Sequence, residues 1–175
     1  MSPLAFNELR IPLSSVKEGV TEFAFQAEPP VDEAGWGRIF TGKIDVTVRV
    51  NRMGDEYLFD LKVKAEGTFV CDRCGEDFQY GVEGRVRTLW THELDKAGEE
   101  TDDDVRLLTP STHEIPLERD VVDALILAIP AKTVCRESCR GLCARCGANL
   151  NEKQCDCQKQ DTDSRWQGLG ELKFE

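Results

Sequence analysis

The stretch Lys43-Ile-Asp-Val-Thr-Val-Arg-Val50 alternates polar and apolar residues, which is typical of a β-strand with one buried face. The same period of two continues through residues 56–70 and 77–90, and short turns join the three runs. Short connections favour antiparallel pairing. We therefore predict an antiparallel meander of strands 39–51, 56–70 and 77–90. The apolar face of the central run consists of Tyr57, Phe59, Leu61, Val63, Ala65 and Phe69.

A helical period follows this sheet. Within residues 116–129, Pro116 suits the first position of a helix and Pro130 ends it. The predicted fold class is α+β: an antiparallel β-meander covered by one main helix, with a C-terminal cysteine-rich zinc ribbon. Shorter strands are expected earlier, at Glu8–Leu13 and Val20–Ala27. The apolar positions of the helix are Leu117, Val121, Ala124, Leu125 and Ala128.

Composition excludes several classes of protein. Of the 175 residues, 40% are hydrophobic, which is enough for a core and argues against disorder. The net charge of −11 disfavours non-specific coating of nucleic acid. The first ten residues lack the features of a signal peptide, and the uncharged run Ala124–Ile129 is far shorter than the roughly 20 residues of a membrane span. We expect a cytoplasmic protein without membrane contact, and a solvated acidic loop at residues 93–104.

Eight cysteines occur in pairs or in a close series. Two of the pairs share the form Cys-x-x-Cys-Gly, at Cys71–Gly75 and Cys143–Gly147. A two-residue gap lets both sulfurs reach one ion at about 2.3 Å, and Zn²⁺ prefers a tetrahedral thiolate shell in structural sites. We predict one or two structural Zn²⁺ ions in a protein whose thiols stay reduced. The candidate ligands are Cys71, Cys74, Cys135, Cys139, Cys143, Cys146, Cys155 and Cys157.

Two groupings of these ligands remain open. One joins Cys71/Cys74 to Cys135/Cys139 and leaves Cys143/Cys146 with Cys155/Cys157. The other groups the four cysteines of residues 135–146 and leaves Cys71/Cys74 with Cys155/Cys157. The first closes a shorter loop around its C-terminal site, and loop closure costs less entropy when the loop is short. Closure entropy therefore favours the first grouping.

No pattern in the sequence indicates an enzyme. Two closed thiolate shells leave no coordination position for a substrate, and no phosphate-binding loop or His-Glu-x-x-His motif is present. His92 and His113 lie far in sequence from every cysteine, so we expect them to be ordinary loop or surface residues. We predict no catalytic residues and no small-molecule substrate. The expected organisation is a β-rich core domain with its covering helix at 1–130 and a zinc-binding, cysteine-rich tail at 131–175, packed on the core.

The string Cys135-Arg-Glu-Ser-Cys-Arg-Gly-Leu-Cys-Ala-Arg-Cys-Gly-Ala-Asn-Leu-Asn151, followed by Cys155-Asp-Cys157, resembles the YceD family of large-subunit ribosomal RNA accumulation proteins. The resemblance extends to Val70–Cys74, Leu125–Pro130 and Asp163–Trp166. It implies a non-enzymatic ribosome biogenesis factor that supports the accumulation of 23S rRNA and large-subunit assembly. Its partner would then be a precursor of the large ribosomal subunit, contacted through rRNA, a ribosomal protein or both.

Two kinds of partner contact remain open. Residues 135–160 hold five Lys/Arg against three Asp/Glu, so this segment is the least acidic part of an acidic chain. It is the best candidate for contact with RNA, although its bases would also offset the charge of bound thiolates. The alternative is a zinc-stabilised adaptor whose acidic surface binds a basic ribosomal protein. The candidate RNA or partner contacts are Arg136, Arg140, Arg145 and Lys153.

Overall fold

A computed structural model describes residues 4–29, 39–92 and 104–157 of the chain. The described part is mostly β-sheet with one covering helix, as predicted. Except for Asp104, the predicted acidic loop at 93–104 lies outside the described residues, as does the tail beyond Cys157. The elements are β1 (Arg10–Pro12), β2 (Gly19–Ala27), β3 (Ile44–Met53), β4 (Glu56–Val70), β5 (Asp77–Thr91), β6 (Val105–Leu107), β7 (Glu114–Pro116) and α1 (Glu118–Ala128).

The main sheet has the strand order β2-β3-β4-β5-β6. Strands β2 to β5 pair antiparallel, which confirms the predicted meander. The strand predicted at Val20–Ala27 is also confirmed, and as β2 it forms an edge of the same sheet. Phe59 of β4 lies opposite Val50 of β3 and Thr88 of β5. Because alternate residues of a strand face the same side, the apolar set predicted for β4 points into one core. Its members are all buried: Tyr57, Phe59, Leu61, Val63, Ala65 and Phe69.

The helix α1 covers the inner face of this sheet. Of the apolar positions predicted for it, Val121, Ala124 and Leu125 are completely buried, as is Leu117 just before the helix, and Ala128 is half-buried. Contact with β5 is very close at Gly84, where an added Cβ would lie 2.0 Å from the carbonyl oxygen of Ala124 and 3.1 Å from Cγ2 of Val63. The backbones of helix and strand therefore meet at a position where only glycine fits.

Replacing Gly84 by alanine should destabilise the fold by about 1–3 kcal/mol, because the new methyl group must displace the helix backbone. The matched control is Gly81→Ala on the same strand, where an added Cβ meets nothing within 4 Å. This control should be neutral or slightly stabilising, because alanine restricts the unfolded chain. Urea unfolding of both variants measures the difference, and equal stabilities would contradict the described helix–strand contact.

Element boundaries differ from those predicted from sequence. The predicted strand 39–51 begins only at Ile44 and runs on to Met53. The predicted helix 116–129 is wrong at its start, because Pro116 is the last residue of β7 and pairs with Arg10. This short β1–β7 pair buries Ile11 and Ile115 completely, and its burial keeps the chain extended up to Pro116.

Two short strands, β1 and β6, also differ from the prediction. The expected strand at Glu8–Leu13 is reduced to β1, which lies between single 3₁₀ turns at Phe6–Glu8 and Leu13–Ser15. The strand β6 pairs parallel to β5 over three residues. Within the described residues, no helix has the length and apolar character that a membrane crossing requires.

The β4–β5 hairpin places the cysteine region. Its two strands pair over their whole length, from Glu56 opposite Thr91 to Val70 opposite Asp77. Strand β3 accompanies β4 only as far as Lys64. The last six residues of β4 (65–70) therefore extend beyond β3 and lead into the turn 71–76, which carries the first Cys-x-x-Cys-Gly motif. This two-stranded end of the hairpin thus presents Cys71 and Cys74.

Candidate metal centre

The structure gathers the eight cysteines into two tetrads, in the first of the two groupings weighed above. The hairpin site comprises Cys71, Cys74, Cys135 and Cys139, and the tail site comprises Cys143, Cys146, Cys155 and Cys157. Within each site all four sulfur atoms lie within 4.8 Å of one another. All eight thiols are free of disulfides. The hairpin site takes two ligands from each side of the predicted boundary at residue 130, and that boundary stays a prediction.

The sulfur spacing matches a tetrahedral metal shell. In the hairpin site, Sγ of Cys71 lies 3.9 Å from Sγ of Cys139, and Sγ of Cys74 lies 3.9 Å from Sγ of Cys135. Four thiolates at 2.3 Å from a central Zn²⁺ would be separated by about 3.8 Å. These four residues fit a structural zinc ion without rearrangement of the chain.

Both Cys-x-x-Cys-Gly motifs adopt the same backbone conformation. The Gly75 N–H donates to Cys71 O, and Cys71 N–H donates to Glu76 O. The second motif repeats both bonds between equivalent residues, from Gly147 to Cys143 and from Cys143 to Ala148. Gly75 and Gly147 have φ of 73° and 71°, a region that favours glycine. The repeated motif in the sequence therefore encodes the same turn twice, and each turn presents two cysteines.

Backbone N–H groups favour the thiolate form of at least one cysteine in each tetrad. In the hairpin site, the N–H of Cys135, 3.4 Å from Sγ of Cys71, is the main cause that lowers the pKa of Cys71 to about 6. In the tail site, the N–H groups of Cys146 and Arg145 lower the pKa of Cys143 to about 6. These donors point at sulfur where a metal-bound thiolate needs them.

Four of the other thiols, Cys74, Cys135, Cys155 and Cys157, have a raised pKa and resist ionisation. Burial raises the pKa of Cys135 to about 12, and the hydrogen bond with Cys146 raises the pKa of Cys157 to about 12. Four adjacent thiolates repel one another, so a tetrad ionises fully only with a cation at its centre. A divalent metal ion would supply that charge, so both tetrads could hold a metal ion.

The two sites differ in exposure. In the hairpin site Cys71, Cys74 and Cys139 are buried, and Phe78 and Val134 pack against them. In the tail site Cys146 is exposed and its three partners are half-buried. The hairpin site thus forms a small second core, whereas the tail site lies near the surface.

Arg73 clamps the C-terminal segment onto the hairpin. Its guanidinium donates to the carbonyls of Glu137 and Cys139, at 2.9 and 3.0 Å. Its own carbonyl accepts the N–H of Leu142 at 2.9 Å. The residue between the first two ligands therefore holds the backbone that carries the fourth ligand.

Thr133, two residues before Cys135, forms a second set of hydrogen bonds with the hairpin. Its N–H donates to the carboxylate of Asp72 at 2.6 Å, and its carbonyl accepts the N–H of Asp72 at 2.8 Å. Its hydroxyl donates to Val70 O at 2.9 Å. These bonds fix where the chain returns to the hairpin after α1.

The hydrogen bonds that hold the C-terminal segment on the hairpin were not predicted from the sequence. Arg73, Asp72 and Thr133 are ordinary polar residues, and only the structure shows what they bind. One signal was available: Asn149-Leu-Asn151 follows directly on the second motif, and Asn and Asp side chains commonly bond to nearby backbone in turns.

The four predicted contact residues lie around the two sites. Arg136, Arg140, Arg145 and Lys153 are all exposed. Among the described residues, none of the four forms an ion pair. Both histidines lie outside the two tetrads, and His92 bonds through Nδ1 to Leu108 O at 3.1 Å. Within the described part of the chain, the charge of Arg136, Arg140, Arg145 and Lys153 is not needed to explain the fold, because these exposed side chains lack an ion-pair partner.

Comparison with known proteins identifies relatives over most of the chain. The family described as Large ribosomal RNA subunit accumulation protein YceD matches residues 59–173. The chain is 28% identical to the chloroplastic Large ribosomal RNA subunit accumulation protein YCED homolog 1 of Arabidopsis thaliana, over 74% of this chain and 48% of the relative. The protein of that name in Zea mays is 30% identical over 73% of this chain and 52% of its own.

A bacterial relative has a similar likeness. An uncharacterized protein of Mycobacterium tuberculosis is 31% identical to the chain, over 74% of this chain and 61% of its own length. The chain thus spans between about half and three fifths of the length of these relatives. No solved structure matches it. The family match covers well over half of the chain and includes all eight cysteines.

Proposed function

This chain belongs to the YceD family, and we propose that it supports the accumulation of 23S rRNA as a non-enzymatic factor in assembly of the large ribosomal subunit. The observation that carries the proposal is the coincidence of the family match with both thiolate tetrads. The plant relatives are named for accumulation of the large ribosomal RNA subunit. The proposed site of action is the cytoplasm, where thiols remain reduced.

The proposed role of metal is structural. Each tetrad supplies four sulfur ligands, which complete the shell of Zn²⁺ and leave no position for water or substrate. Zinc in these sites would hold the C-terminal segment against the β4–β5 hairpin. Zinc would therefore fix the position of this segment, and no chemical step is assigned to it.

The proposed partner is precursor rRNA of the large subunit, contacted by the bases around the two sites. Arg and Lys side chains bind phosphate oxygens in nucleic acids, and these contacts fix register and supply salt-dependent affinity. A metal-ordered segment would present its bases in a fixed arrangement, as such binding requires. The residues proposed for this contact are Arg136, Arg140, Arg145 and Lys153.

Charge reversal tests this contact. The variant Arg140→Glu/Arg145→Glu should lose at least tenfold in affinity for deproteinised large-subunit precursor RNA, and the slope of log affinity against log salt should fall by about one or two. The control Lys43→Glu/Lys62→Glu makes the same change in charge at two exposed lysines of the sheet region and should lose far less. Equal losses would show a non-specific effect of charge, and unchanged binding by the first variant would exclude these arginines. Zinc content is measured in each variant.

One observation favours a second candidate function. The net charge of −11 suits an adaptor that binds a basic ribosomal protein through an acidic surface. Such an adaptor would bind precursor particles only while they retain their proteins. Binding to deproteinised RNA therefore separates the two candidates.

A further inference from the structure

Asn151 connects the two cysteine sites. In the sequence it lies between ligands of the tail site, and its side chain contacts a ligand of the hairpin site. It follows the second Cys-x-x-Cys-Gly motif, inside the loop between Cys146 and Cys155 of the tail site. Its side-chain nitrogen Nδ2 lies 3.3 Å from Sγ of Cys139, a ligand of the hairpin site. A residue positioned by one site therefore donates a hydrogen bond to the other.

The orientation of this amide is fixed by its neighbours. Its oxygen Oδ1 accepts the backbone N–H of Arg140 at 2.9 Å. Its Nδ2 also donates to Oδ1 of Asn149 at 2.9 Å, and that same oxygen accepts the backbone N–H of Asn151 at 3.0 Å. Because an amide oxygen accepts and an amide nitrogen donates, the nitrogen must face the sulfur.

The loop that carries Asn151 depends on the tail site for its order. Backbone bonds join Leu150 N–H to Gly141 O and Cys143 N–H to Ala148 O. No apolar side chain of residues 140–151 is buried, so these bonds have no hydrophobic core behind them. A metal ion that joins Cys143 and Cys146 to Cys155 and Cys157 would therefore decide whether the loop is formed.

We propose that Asn151 couples the two sites, so that a divalent ion bound at the tail site raises the affinity of the hairpin site for its own ion. This inference rests on the metal sites of the proposed function. Ordering of the loop places the Asn151 amide on Cys139, and its N–H stabilises the thiolate there. Hydrogen bonds to metal ligands typically change affinity by about 10–100-fold. The reverse effect must be equally large, because coupling between two binding sites is reciprocal.

The coupling factor follows from titration of the full-length chain with Co²⁺, monitored by thiolate-to-cobalt absorption. It is the product of the two stepwise association constants of the intact chain divided by the product of two single-site constants. The variant Cys155→Ser/Cys157→Ser gives the constant of the hairpin site, and Cys71→Ser/Cys74→Ser gives that of the tail site. We expect a coupling factor of about 10–100.

Substitution of Asn151 tests its part without touching a ligand. Asn151→Asp keeps the oxygen that accepts from Arg140 but replaces the donor on Cys139 by a second oxygen. It should reduce the coupling factor at least fivefold. The control Asn149→Asp adds the same charge two residues away and keeps the oxygen that holds Asn151, so the factor should stay within twofold.

Each outcome decides between the proposals. A coupling factor near one, or an equal reduction by Asn151→Asp and Asn149→Asp, overturns the role of Asn151. Uptake of two Co²⁺ ions with a factor near one leaves the metal sites of the proposed function intact and removes only the coupling. If the intact chain takes up no Co²⁺, the metal sites and the coupling fail together.

Discussion

Removal of zinc should release residues 131–157 from the hairpin while the main sheet and α1 stay folded. Among the described residues after Ala128, Cys139 is the only hydrophobic side chain that is buried. Burial of Cys139, with half-buried Val134 beside it, is too little to hold this segment, whereas structural zinc contributes on the order of 10 kcal/mol to small metal-dependent units. The sheet and helix have their own core, which includes Phe59 and Leu125.

Amide hydrogen exchange measures this release. Chelation, or the variant Cys74→Ser, should abolish protection over residues 131–157 and leave β3, β4 and α1 protected. The control Ser138→Ala lies in the same segment, is exposed and supplies no ligand, so its protection should match that of the parent chain. Persistent protection of residues 131–157 without metal would contradict this dependence.

Acid should have the same effect as chelation, because protons compete with metal for thiolate. The pKa of Cys71 and that of Cys143 are lowered to about 6. Each of these thiolates therefore stabilises the folded tetrad in full when the pH is above the ordinary pKa of a thiol. That contribution is lost as the pH falls through 6. Zinc release should therefore become steep between pH 7 and pH 5.

The variant Arg106→Met should destabilise the core by about 3–5 kcal/mol, because it leaves a buried carboxylate without its cation. Arg106 of β6 binds Asp120 in the first turn of α1 through two hydrogen bonds, at 2.6 and 3.1 Å. The Asp120 side chain is only 2% exposed. Methionine keeps apolar contact with the Trp90 ring, which lies 5.3 Å from the guanidinium of Arg106.

A double variant and a pH series complete this test. Arg106→Met/Asp120→Leu should recover most of the lost stability in urea unfolding, because no unpaired charge remains. Burial raises the pKa of Asp120, and Arg106 opposes that rise. In Arg106→Met the folded state therefore favours the protonated acid, so the loss relative to the parent should be smaller at pH 5 than at pH 7.5. If the loss of stability is the same with and without Asp120→Leu, and the same at pH 5 and pH 7.5, the ion-pair explanation is contradicted.

The parts of the fold that repeat locally were predictable from sequence. Alternation from Ile44 onward specified β3 to β5, and the spacing of Leu117, Val121 and Leu125 specified α1. Pro116 was misassigned because the pairing of Ile115 with Ile11 joins segments about a hundred residues apart. The strand β6 was missed because three residues carry too little periodicity.

The metal site shows the same division. Spacing identified the candidate ligands, and the cost of loop closure favoured the grouping of cysteines that the structure has. The clamp of Arg73 on Glu137 and Cys139 could not be predicted, because it joins polar residues more than sixty positions apart. Neither could the contact of Asn151 with Cys139, since its partner follows from how the two turns pack.

The most direct test of the central claim is the metal content of the full-length chain, purified without added zinc and measured together with its reactive thiols. The two tetrads predict two zinc ions per chain, with all eight thiols protected until a chelator is added. A chain that holds no metal and shows eight freely titratable thiols would contradict the account.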